Sequence, residues 1–304
     1  MDSLHPRAFT VTVVWTLVLL YLGSVVHATE SSLACPDWPT CFGTLVPEMS
    51  GGVFWEHLHR LVAGGLLLMW GLATYLARKE TRDRPWIFRW CLAGIVLLLV
   101  QSVFGGLTVL FKLPDLVSTS HLSLALLFLV AATVLASATG WSGVTDAEES
   151  AGVDPGLLRR AATWGSASAV LVFVQSVLGG LVRHTDAGMA CPDAPLCQGA
   201  WIPPLDNGLV ALHFTHRVVG VAAAVMIVAF AAWAHRTRAP HVVRSMSAWA
   251  SILTLIQVAL GFISVLGGLA VIPVSLHTLV AASLLVVLVH VTTAARARST
   301  TGGA

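Results

Sequence analysis

Glu56-His57-Leu58-His59-Arg60 and Leu212-His213-Phe214-Thr215-His216-Arg217 each set a His-Arg pair just inside a long apolar run. Ionisable side chains within a bilayer are rare, face the interior of a bundle and mark functional sites. Two further histidines, His121 and His277, occupy matching places near the starts of two other apolar runs. The organisation of the chain follows from these four positions.

The surroundings are those of an integral membrane protein. The chain is 56% hydrophobic and 11% charged, with a mean hydropathy of +0.82; a soluble domain carries about 25% charged residues. A membrane helix needs about 20 mostly apolar residues. Eight runs qualify: 9–28, 54–77, 87–110, 117–139, 161–182, 209–233, 246–270 and 274–295. Arg7 before the first run and Val26-His27-Ala28 at its end resemble a cleaved leader. Run one has a counterpart in run five, however, so it is expected to stay as a span. The expected fold is an all-α membrane protein of eight transmembrane helices. No nucleic-acid partner is expected.

The second half repeats the first. Cys35 and Cys41 map to Cys191 and Cys197 at an offset of 156, Gln101 to Gln257 and His121 to His277 at the same offset, and His59-Arg60 to His216-Arg217 at 157. The expected architecture is therefore two tandem, pseudo-symmetric four-helix bundles, residues 1–140 and 161–304, joined by a linker at 141–160. Asp146, Glu148, Glu149 and Asp154 make that linker a solvated one. Four spans per unit is even, so both units take the same orientation. Lys and Arg then assign the sides. With the N-terminus cytoplasmic, thirteen lie inside, only Lys112 and Arg183 lie outside, and Arg60 and Arg217 are embedded. Both termini are expected in the cytoplasm and both cysteine loops outside.

His59, His121, His216 and His277 should then lie at similar depth near the outer leaflet, as the pairs His59/His121 and His216/His277. Two imidazoles facing each other across a four-helix bundle can clamp heme iron on its two axial faces. Zinc is the other metal candidate, but it wants three or four ligands together. Gly105-Gly106, Gly179-Gly180 and Gly261 would let a helix or a ring approach closely, and ordinary helix packing explains them equally well. Arg60 and Arg217 are candidates for heme propionates. Glu56 lies three residues before His59, on the same helix face, and its counterpart is His213. A carboxylate in one bundle only marks that bundle as the reactive one. Glu56 could act as a base or stabilise developing positive charge. The outer Cys35/Cys41 and Cys191/Cys197 pairs read as intraloop disulfides, with a redox-active pair as the sharper alternative. Cys91 reads as a small packing residue. His27, His184, His235, His241 and His290 read as span-end or loop residues.

Taken together, the eight spans, Glu56-x-x-His59-Arg60, His121, His216-Arg217, His277 and the two Cys-x5-Cys loops resemble the bacterial heme A synthase family over nearly the whole chain. The resemblance implies a permanent heme b held by His216 and His277, and a substrate, heme O, received between His59 and His121. It implies oxidation of the C8 methyl of heme O to the formyl group of heme A, with water as oxygen source and Glu56 as the essential carboxylate. It further implies a role in activity for Cys35 and Cys41 and a disulfide for Cys191 and Cys197. The implied partners are membrane lipid, heme O synthase, terminal oxidase assembly factors and an unidentified electron acceptor. The expected location is a bacterial plasma membrane. The competing classes are a diheme cytochrome linking quinol to an outer partner, and a heme carrier without turnover.

Overall fold

The computed structural model describes residues 4–81, 83–141 and 154–301. Among them, eight helices are long and apolar enough to cross a membrane: α1 (His5–Ala28), α2 (Gly51–Ala77), α3 (Pro85–Leu110), α4 (Asp115–Ala136), α5 (Pro155–His184), α6 (Gly208–Arg236), α7 (His241–Leu266) and α8 (Val271–Thr301). Every expected run is a helix, and no strand occurs among the described residues.

The helix ends differ from the runs where polar punctuation matters more than hydropathy. Proline opens α1, α3 and α5 within the first two positions, where its missing N–H costs nothing. Helix α5 therefore starts at Pro155, inside the expected linker, and Asp154 caps it by accepting from Gly156 N at 2.8 Å. Asp146, Glu148 and Glu149 lie outside the described residues. Run seven, read as 246–270, is a helix from His241 to Leu266. Gly268 and Leu269 turn left-handed behind it (φ 63° and 62°), and Leu269 N returns to Ser264 O at 2.7 Å. The same turn follows α3 at Lys112 and Leu113, with Leu113 N bonded to Thr108 O at 2.7 Å.

Helix α1 packs on α2 and α4, and α3 also packs on α2 and α4. The same neighbours recur among α5, α6, α7 and α8. Helices α1, α4, α5 and α8 join the two groups through the α1–α8, α4–α5 and α4–α8 contacts. The outer helices show apolar side chains to the surroundings, among them Leu68, Val96, Val221 and Leu255. Inside, Trp70 is fully buried. It lies between Phe9 and Phe128 at ring distances of 5.7 and 4.9 Å and donates its Nε1–H to Cys91 O at 2.9 Å. This supplies the polar partner a buried indole requires. Cys91 is a buried free thiol.

A polar seam closes the contact between the two groups at the cysteine-loop end. Arg183 donates to Ser24 Oγ at 3.1 Å and Ser24 O at 3.0 Å. His184 Nδ1 meets Thr119 Oγ1 at 2.9 Å, and Ser24 Oγ meets Thr278 Oγ1 at 3.2 Å. His290 departs from its span-end reading. It lies well inside α8, with Nδ1 3.0 Å from Ser137 Oγ and its ring edge-on to Trp141.

Candidate functional site

The four histidines take equivalent places. His59 is the ninth residue of α2 and His216 the ninth of α6. His121 and His277 are the seventh residues of α4 and α8. At 1.5 Å rise per residue, all four lie roughly 9–12 Å from the start of their helices. All four are half-buried.

Each imidazole rests on a glycine of the preceding helix. A Cβ added to Gly23, Gly105, Gly179 or Gly261 would lie 3.0, 3.0, 2.9 or 3.2 Å from Cε1 of His59, His121, His216 or His277 respectively. Three of these glycines were visible in the sequence as small residues. Gly23 was missed, although the 156-residue offset that relates the halves leads from Gly179 straight to it.

Hydrogen bonds orient two of the rings. His121 Nδ1 is 3.1 Å from Gln101 O, and His277 Nδ1 is 3.1 Å from Gln257 O. A carbonyl only accepts, so Nδ1 carries the proton and Nε2 keeps its lone pair for a metal. In the second half Gln175 also donates to His216 O at 2.8 Å. The Nδ1 atoms of His59 and His216 and the side-chain oxygens of Gln101, Gln175 and Gln257 are buried without a hydrogen-bond partner. Such atoms are expensive unless a bound group satisfies them. Imidazoles at matched depth, glycine cradles and orphaned polar atoms together fit heme in both places.

Glu56 and Arg60 tie the first site to its loop. Glu56 Oε2 accepts from Cys35 N at 2.8 Å, and Oε1 pairs with Arg60 Nη2 at 2.5 Å. Arg60 also donates to the carbonyls of Asp37 and Thr40 at 2.7 and 2.6 Å. Arg217 does the same in the second half, to Asp193 O, Leu196 O and Cys191 O at 2.9, 2.6 and 2.7 Å. The structure thus engages both arginines with the cysteine loops. His213, at the position of Glu56, instead bonds Ala187 O through Nδ1 at 3.0 Å.

Both cysteine pairs are disulfides, Cys35–Cys41 and Cys191–Cys197. An aspartate organises each loop. Asp37 accepts from the Thr40 hydroxyl and from Phe42 N and Gly43 N at 2.6 and 2.9 Å. Asp193 accepts from Gln198 N and Gly199 N, both at 2.7 Å. The Thr40 hydroxyl, then the loop N–H groups, hold the Asp37 carboxyl below the usual carboxylate range. The Gly199 N–H does the same for Asp193, helped by Gln198. The two halves also differ beside their disulfides. His57 lies beside the first disulfide, one ring nitrogen and both sulfurs within 4.8 Å of one another, while Nε2 meets Leu45 O at 3.1 Å. Next to the second disulfide Phe214 packs instead.

The sequence profile of the family described as cytochrome oxidase assembly protein (COX15-CtaA) matches residues 7–289. The chain belongs to this family. It is similar to the heme A synthase of Symbiobacterium thermophilum, with 34% identity over 91% of this chain and 90% of that protein. It is also similar to the heme A synthase of Halalkalibacterium halodurans, at 31% identity over 93% and 94%. The heme A synthase of Shewanella oneidensis shares 26% identity over 84% and 86%. Family membership thus extends over both histidine pairs and both cysteine loops.

Proposed function

We infer that this protein is a heme A synthase, an enzyme of the membrane that makes heme A for cytochrome oxidase assembly. Family membership and two near full-length relatives of that name support this. The observation that carries the division of labour is the asymmetry between two otherwise matched histidine pairs. Glu56 stands on the His59 helix, and His213 stands in its place on the His216 helix.

Residues 1–140 and 161–304 form two pseudo-symmetric four-helix halves in tandem. His216 and His277 hold heme b, and His59 and His121 receive heme O as substrate. A heme iron between two histidines supplies one-electron transfer. Converting a methyl to a formyl group with water as oxygen source releases four electrons and four protons, so an acceptor is required. Glu56 serves this reaction from the first half. Its two tethers, to Cys35 N and Arg60, favour a fixed negative charge facing developing positive charge at the oxidised carbon. A general base would be neutralised on taking a proton, which would weaken both of these charge-assisted tethers. Arg60 and Arg217, proposed for heme propionates, fasten the loops; a propionate reaching them shares or displaces loop carbonyls. Cys35–Cys41 is the pair assigned to activity and Cys191–Cys197 the structural one. The loop end faces outward and both termini face the cytoplasm of a bacterial cell.

The test is a comparison of Glu56→Ala with the unaltered protein, measuring bound heme and heme A formed. Normal heme content with lost turnover supports the assignment. Full turnover with normal heme content removes Glu56 from the reaction.

A further inference from the structure

At the end opposite the cysteine loops, α5, α6 and α8 leave a cleft of about 770 Å³ lined by Arg159, Thr163, Ser166, Val170, Met226 and Arg296, among others. Its polar end is cationic. Arg296 donates to Ser166 Oγ at 3.0 Å. The Arg159 guanidinium has no hydrogen-bond or ion-pair partner among the described residues, and no carboxylate lines the cleft. The remaining wall is apolar and runs along α5 as far as Val174. From Arg159 to Val174 it covers roughly 22 Å, more than the ~15 Å of hydrocarbon in one leaflet.

The first half differs at the polar end of the corresponding place. At the 156-residue offset Ser166 corresponds to Thr10, Arg296 to Gly140 and Ala297 to Trp141. There Trp141 donates its Nε1–H to Thr10 Oγ1 at 2.8 Å, and Gly140 lies so close to Pro6 that a Cβ would come within 2.8 Å of it. An indole and a close helix contact occupy that end in the first half. In the second, alanine and arginine replace them and the cleft is open.

We propose that this cleft seats one anionic phospholipid, with its phosphate between Arg159 and Arg296 and an acyl chain along Val170, Val174 and Met226. Arginine pairs with phosphate through two parallel N–H bonds, and basic pockets between membrane helices bind anionic head groups. A free phosphate would satisfy the arginines but has no use for a long apolar wall. The site stands apart from the histidines and does not depend on the heme assignment.

The test is native mass spectrometry of the full protein released from bilayers of equal phosphatidylglycerol and phosphatidylcholine. One phosphatidylglycerol per chain should be retained, in preference to phosphatidylcholine by about 30-fold. The R159Q/R296Q double variant should lose that preference while keeping its heme content. Ala167→Trp, which fills the cleft and keeps both charges, should lose the bound lipid as well, and it decides the matter if the double variant does not fold. Equal retention of the two lipids, or unchanged phosphatidylglycerol on a folded variant of either kind, overturns the proposal.

Discussion

Glu56 has both carboxylate oxygens engaged, one on the Cys35 amide and one on Arg60. Alanine removes the charge and the tether together, whereas glutamine keeps an acceptor for Cys35 N and loses the charge. We expect Glu56→Ala and Glu56→Gln both to lower turnover by about 10²-fold or more, as read by heme A formed per bound heme. Gln retaining most of the activity would point to the tether rather than the charge. The glycine cradles carry a second prediction. Valine at Gly179 would put a Cβ 2.9 Å from His216 Cε1 and displace the imidazole. Gly179→Val should therefore lose the heme bound by His216, seen as a fall in pyridine hemochrome per chain, and unchanged heme would contradict the cradle. The placing of the histidines and Glu56 near their helix starts was legible from the sequence because charge in a span is costly and the repeat exposes what differs. Gly23 was not, since a glycine in an apolar helix looks like ordinary packing. His57 was not either, because only the folded loop brings it to the disulfide.

The cysteine loops are elements with their own logic. Each is fastened from below by an arginine fork and shaped from within by an aspartate. Arg217→Lys keeps the charge but cannot reach three carbonyls in the same plane. It should loosen residues 190–200, detected as faster amide exchange there with the helices unchanged. The aspartates give a pH dependence of definite sign. Their carboxyls are held below the usual range, so the loop contribution is present above pH ~4. It is lost as pH falls through the lowered values. Exchange at Phe42, Gly43 and Gly199, corrected for intrinsic rates, should stay protected from neutral pH down to about pH 4 and rise only below it. Loss of protection near pH 6 would contradict this. The repeated Cys-Pro-Asp opening announced the loops, but nothing in it indicated that arginines placed for propionates would hold backbone carbonyls. That follows from how the chain folds back over the helix starts. Helix ends were misplaced for a related reason: Pro155 and Gly268 set them, and hydropathy is blind to both.

At the scale of the molecule, basic residues crowd one end of the bundle and cysteine loops the other. The reading puts the basic end inside. A cysteine at Thr237 should react with a membrane-impermeant maleimide only in inverted vesicles, and one at Asp206 only in intact spheroplasts; both positions are exposed. The eight spans were readable because hydrophobic length is a strong signal. The α1–α8 and α4–α5 contacts that join the halves were not, since hydropathy does not say which apolar faces meet: Leu20, Leu126, Val172 and Leu285 share one core, with the polar pairs Ser24–Thr278 and Thr119–His184 at its edge. The central claim is that one half holds a cofactor and the other a substrate. It is tested most directly by purifying the protein from a host that makes heme O, then extracting and identifying its non-covalent hemes by chromatography and mass. The account predicts heme B together with heme O, its hydroxylated intermediate or heme A. Heme B alone, at two per chain, would contradict it and leave an electron-transfer cytochrome in which Glu56 has no chemical part.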